Sequence, residues 1–206
     1  MADEISNKTL AILVVAAIVV TLGGTMLVLK QGPSAQLTGF VTQQTGTAAI
    51  NVSEVIDIEL DDSAIDFGTG YVNDTATDRA CTMNTEGTSE TTDCLGDWAS
   101  VTDSMHIVNE GNVNVILTVT GDNAATFITG TSPSFKLKSA NDEASSCTNG
   151  TALDTYTELS GSVQLCSSLG YASTADSMYI YAEAIVPSDA NPGVRTNTLT
   201  FTASKA

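Results

Sequence analysis

MHIVNEGNVNVILTVT, residues 105–120, decides the fold class. Two runs rich in Val and Ile flank Asn109-Glu-Gly-Asn112, four residues of turn chemistry. Short β-branched runs separated by such a turn predict a β-hairpin. His106 alternates within the first of these strands, next to the apolar Met105 and Ile107.

The same texture extends in both directions. Upstream, TAAINVS (47–53) and VIDIEL (55–60) alternate apolar and polar residues. In the second run Ile56, Ile58 and Leu60 fall on one face, and Asp57 and Glu59 on the other. Ile65-Asp66-Phe67 reads as a short strand closed by Gly68-Thr-Gly70. Downstream, Phe127-Ile128, FKLK (135–138), VQL (163–165), MYIYAEAIV (178–186) and TNTLTFTA (196–203) continue the series, with a long turn over 187–193. Two polar stretches, 73–97 and 139–155, read as surface loops. About nine short strands rich in Thr, Val and Ile predict an all-β head, an antiparallel Ig-like β-sandwich.

Ahead of this head lies LAILVVAAIVVTLGGTMLVL (10–29), twenty residues without a charge, bracketed by Lys8 and Lys30. As a helix it would be about 30 Å long, the thickness of a bilayer core. The expectation is one long N-terminal hydrophobic α-helix over 1–30, a linker over 31–44 that begins with the breakers QGPS, and an extracellular sandwich over 45–206. MADEISNK is not clearly basic and no good A-x-A site follows, so the helix reads as part of the mature chain rather than a cleaved signal. Ala16, Ala17, Gly23 and Gly24 are the small residues at which neighbouring helices would approach most closely.

Seven Lys and Arg stand against twenty-four Asp and Glu, a net charge of −17. Beyond residue 30 the balance is five basic against twenty-two acidic residues, and the basic ones do not cluster. Phosphate backbones need clustered cations, so no nucleic-acid partner is expected. Cys81, Cys94, Cys147 and Cys166 lack metal spacing and fall in two sequence-local pairs. They read as Cys81–Cys94 and Cys147–Cys166 disulfides, although three connectivities are open, and disulfides imply an oxidising compartment. Sequons at Asn51, Asn73 and Asn149 are candidate glycosylation sites; a fourth, Asn7, precedes the apolar run.

Hydrolase, metalloprotease, Walker and dinucleotide signatures are absent from the sequence. A catalytic triad would have only His106 to use. Asp57, Glu59, Asp61, Asp62 and Asp66 form the densest acidic cluster, but without the spacing of a calcium loop. The expectation is therefore a protein that is not an enzyme, with no cofactor and no metal.

The layout of polar head, apolar segment and acidic, Thr-rich sandwich resembles archaeal type IV pilin-like proteins. IVNEGNVNVILTV (107–119) and AIVPSDANPGVRTNTLTFTAS (184–204) are similar to archaeal secreted β-sandwich domains. The resemblance implies a structural subunit of an extracellular filament, with helices bundled in the core and sandwiches outside. It implies copies of the chain as partners, insertion in the membrane through the helix before assembly, and a role in adhesion to a surface ligand or glycan. A monomeric, membrane-anchored adhesion protein would share every one of these sequence features.

Overall fold

In the computed structural model, which describes residues 7–30, 46–73, 75, 78–89 and 92–206, the chain divides into two units, Met1–Ile50 and Asn51–Ala206. The first contains helix α1 (Asn7–Lys30). Its interior is mostly Leu, Ala, Ile and Val with no proline, and Thr21 Oγ1 donates to the carbonyls of Ala17 (2.6 Å) and Ile18 (3.1 Å). The expected membrane-length apolar helix is corrected here. Among the described residues no helix is long and apolar enough to cross a membrane. Insertion of the chain in a membrane through this helix loses its support with it. The linker expected over 31–44 lies outside the described residues.

The second unit is β-rich, as the alternation predicts. Its strands are β1 (Glu59–Asp62), β2 (Gly70–Val72), β3 (Ala80–Asn84), β4 (Cys94–Gly96), β5 (Met105–Val108), β6 (Val115–Thr120), β7 (Ser134–Asn141), β8 (Thr157–Glu158), β9 (Ser162–Leu169), β10 (Ser177–Pro187) and β11 (Thr200–Lys205). All strand pairs are antiparallel. A large sheet runs β1-β5-β10-β7-β8, with β3 also on β10; a smaller one runs β11-β6-β9; β2 and β4 form a ribbon. One core joins the two larger sheets: Met105, Ile107, Leu137, Met178 and Ile180 from one and Val115, Leu117, Val119, Leu165 and Leu169 from the other. These are the alternate residues of each strand, the period-2 pattern of a half-buried sheet.

β10 is the axis of the large sheet. Its MYIYAEAIV run pairs with β7 along one edge, from Met178↔Asn141 to Ile185↔Ser134. Its other edge is shared by β5 at one end and β3 at the other. Thr85, fully buried, closes the gap between them: its N–H donates to Ala182 O (2.9 Å) and its Oγ1 accepts from Ala182 N (3.0 Å). A buried backbone group without such a partner would cost stability.

Residues 105–120 do not form the expected hairpin. β5 belongs to the large sheet and β6 to the small one, so the turn crosses the core instead of reversing within a sheet. Asn109, almost fully buried, holds the crossing. Its Nδ2 donates to Gly170 O (2.7 Å), Val113 O (3.0 Å) and, more weakly, Leu169 O (3.4 Å), and its Oδ1 accepts from Gly111 N (3.1 Å). These bonds tie the turn to the end of β9. Both strands can then bury their apolar faces against each other, through side chains rather than a ladder.

Other differences are local. Residues 47–53 and 55–58 form no strand, and only Glu59–Asp62 of that region joins a sheet. Residues 65–67 form no strand. Ala124–Phe127 is a helical turn, α2, capped by Asn123 Oδ1, which accepts from Thr126 N (3.0 Å). The polar stretch 73–97 contains β3 and β4, whose cysteines are fully buried, so their bond acts as core.

Candidate assembly surface

Cys81 is bonded to Cys94 and Cys147 to Cys166, with Cα atoms 4.9 and 5.8 Å apart. The first joins the β2–β4 ribbon, through Cys94, to β3 of the large sheet; the second ties the connection between β7 and β8 to β9. Two disulfides are those of an oxidising, extracellular or secreted environment.

His106 stands between two carboxylates. Nδ1 lies 3.2 Å from Asp61 Oδ2 and Nε2 3.4 Å from Asp142 Oδ2, and the ring centroid is 4.9 Å from that of Tyr179. The negative charge of Asp142 is the main cause that raises the Tyr179 hydroxyl above its ordinary value. The arrangement links edge strand β1 to β5 and to the end of β7, and brings no nucleophile to the imidazole. The acidic cluster is spread among local turns: Asp62 Oδ1 accepts from Ala64 N (3.3 Å) and Asp66 Oδ1 from Gly68 N (2.8 Å). Among the described residues no group of three His, Cys, Asp or Glu side chains could hold a metal ion.

The head's lysines are engaged. Lys136 Nζ is 2.8 Å from Glu183 Oε1. Lys138 pairs with Glu86 and lies 5.0 and 5.4 Å from the ring centroids of Tyr156 and Tyr181. Burial, followed by donation to Glu86, pushes the Tyr156 hydroxyl up. Lys205 pairs with Glu54.

Two regions expose apolar side chains to solvent. On α1 every described side chain of 11–22 is exposed, on all sides of the helix, including Ile12, Leu13, Val15, Ile18, Val19 and Leu22. Ala16 and Ala17 are exposed among them, and Ala16 shares one apolar patch of the helix surface with Ala11, Ile12 and Val15. Gly24 has nothing within 4 Å of the position a Cβ would take; the surroundings of Gly23 lie outside the described residues. Burying a side chain such as Ile or Leu is worth about 1.5–3 kcal/mol, so this surface gains free energy from any cover. The second region is 46–58, where Ile50 and Val52 are 90% and 74% exposed.

Of the sequon residues, Asn51 and Asn149 are exposed, and Asn149 Oδ1 accepts from Gly150 N (2.9 Å). Asn73 is half-buried and its Nδ2, the atom a glycan would occupy, donates to Thr92 O (2.9 Å). Sequence reasoning reads 47–53 as a strand, with the segment before the head long enough to be exchanged between subunits; among the described residues 47–53 joins no sheet. A signal was present: 31–53 carries no charged residue in an otherwise acidic chain.

No family of known proteins matches this chain, and neither a characterised protein nor a solved structure does.

Proposed function

We propose that this protein is a structural subunit of an extracellular filament, similar in plan to archaeal type IV pilin-like proteins. The observation that carries the reading is α1: between residues 11 and 22 it exposes aliphatic side chains on every side. A helix that is apolar all round is stable in water only when other apolar surface surrounds it. Copies of the same helix supply that surface, bundled in a core with the sandwiches outside. Two disulfides fit service outside the cell, and a strongly acidic head keeps the sheath soluble while the neutral helix makes the contact. Adhesion to a surface ligand or glycan is the role such a filament would serve.

Negative-stain microscopy and sedimentation of the purified full chain test this. The wild type is expected to form filaments. Ala16→Asp, which places a charge on the apolar helix surface, is expected to leave the head folded by circular dichroism and to leave the chain dispersed. A wild type that stays monomeric at high concentration overturns the proposal.

A further inference from the structure

The smaller sheet of the sandwich is finished on one side and unfinished on the other. Beyond β9, the chain's own 146–152 segment caps the edge: Ala152 N donates to Gln164 O (3.1 Å), Gly170 N to Ser146 O (2.8 Å) and Ser167 N to Asn149 O, with the Cys147–Cys166 bond behind them. Beyond β11, among the described residues, no strand pairs. Burial records the same asymmetry. Val115, Leu117 and Val119 of β6 are fully buried. Their cross-strand partners on β11, Lys205, Ala203 and Phe201, are exposed or only half-buried although Phe201 and Ala203 touch the core. An open edge of this kind is a template for another strand.

The chain also carries a segment with the pattern of a strand that joins no sheet among the described residues. Residues 47–53 alternate, with Ala48, Ile50 and Val52 on one face and Thr47, Ala49, Asn51 and Ser53 on the other. The segment's end is clamped to its own head. Val55 N donates to Asn112 Oδ1 (2.7 Å), Asn112 Nδ2 to Ser53 O (2.9 Å), and Asn112 N to Val55 O (3.0 Å). Gly111 permits this approach, since a Cβ there would lie 2.5 Å from Val55 O. Glu54 pairs with Lys205, so the clamp sits at the end of β11 itself. Residues 51–53, just before the clamp, join no sheet among the described residues.

Charge selects the partner. A chain of net charge −17 repels its copies over most of its surface. Both strands of the proposed contact are free of this repulsion: the segment is uncharged from 31 to 53 and the β11 region from 196 to 204. The geometry points to strand exchange: residues 47–53 of one copy pair with β11 of a second copy and extend its smaller sheet to four strands. Ile50 and Val52 then lie beside Phe201 and Ala203 and close the open side of that core. Main-chain hydrogen bonds supply affinity and the alternating side chains set the register, as in other strand additions. This contact is separate from the helix contact and rests on the self-assembly reading above.

Cross-linking tests it in the full chain. The native cysteines are all in disulfides, so introduced thiols react alone. One chain carries Ala49→Cys and a second, distinguishable by mass, carries Thr202→Cys; both positions are exposed and on the outward faces of their segments. After co-assembly and treatment with a short thiol-to-thiol linker, the expected product is a mixed dimer joined through 49 and 202. Adding Val52→Pro to the donor, which removes one N–H and disfavours pairing, is expected to lower the yield about ten-fold. Assemblies without the mixed product overturn the strand exchange while leaving the filament reading intact. A chain carrying both cysteines that links only within itself, inside such assemblies, also overturns it. Failure of the wild type to assemble at all sinks the filament reading instead, and the exchange with it.

Discussion

Asn109→Ala attacks the one polar side chain that makes β5 and β6 face each other across the core. The substitution removes donors from Gly170 O at 2.7 Å and Val113 O at 3.0 Å and an acceptor from Gly111 N at 3.1 Å. Each such bond contributes about 1 kcal/mol net, and a carbonyl left without a partner and without water costs on the order of 1 kcal/mol more. The loss is therefore about 3–4 kcal/mol, a large part of the ~5–15 kcal/mol that holds a domain together. For a domain of this size 1 kcal/mol moves the melting temperature by about 2–4 °C, so the expected drop is roughly 6–16 °C. Thermal unfolding followed by circular dichroism, with urea denaturation for the free energy, measures it. Asn109→Asp keeps the acceptor but turns a carboxylate towards two carbonyls, and is expected to be at least as damaging at neutral pH. A drop below about 2 °C for the alanine variant would refute the argument: apolar burial of Met105, Ile107 and Val115 would then suffice to direct the crossing.

Two further expectations concern the connection beside β9. Replacing Cys147 and Cys166 together by Ser opens a loop with a sequence separation of 19, and is expected to cost about 2–4 kcal/mol by urea denaturation; no loss would mean that hydrogen bonds alone hold this connection. Glu143 should make stability depend on acid. Burial opposes its ionisation, but hydrogen bonds from the Ser177 hydroxyl (2.8 Å), Ser177 N–H (3.1 Å) and Ser146 hydroxyl (3.1 Å) outweigh that and hold its carboxyl below the ordinary 4.5. Between the two values the unfolded chain binds more protons, so the stability due to Glu143 is present above about 4.5 and lost as pH falls through the folded value. Glu143→Gln should therefore lower the urea midpoint at pH 6 and differ little from the wild type at strongly acid pH; an equal deficit at both would show that charge is not involved.

The alternation of MYIYAEAIV, FKLK and VQL was sufficient to locate β10, β7 and β9, because a half-buried strand writes its burial directly into period 2. The same local rule failed at 105–120. A turn flanked by two apolar runs looks alike whether the strands pair or face each other across a core; the choice rests on Asn109 reaching Leu169 and Gly170, about sixty residues away in the chain. Twenty uncharged residues are likewise legible as an apolar segment, whereas the membrane-length helix expected from them is not what the described residues form. Residues 47–53 have the composition of a strand, but whether a strand forms depends on a free edge elsewhere, which local sequence does not specify. Composition, periodicity and the cysteine pattern thus determined a β-rich, acidic, disulfide-compatible head on their own. Which strands share a sheet, which edge stays open and where His106 and the acidic residues meet were decided by the tertiary structure, because those contacts join residues far apart in sequence and depend on which apolar faces are left to be covered.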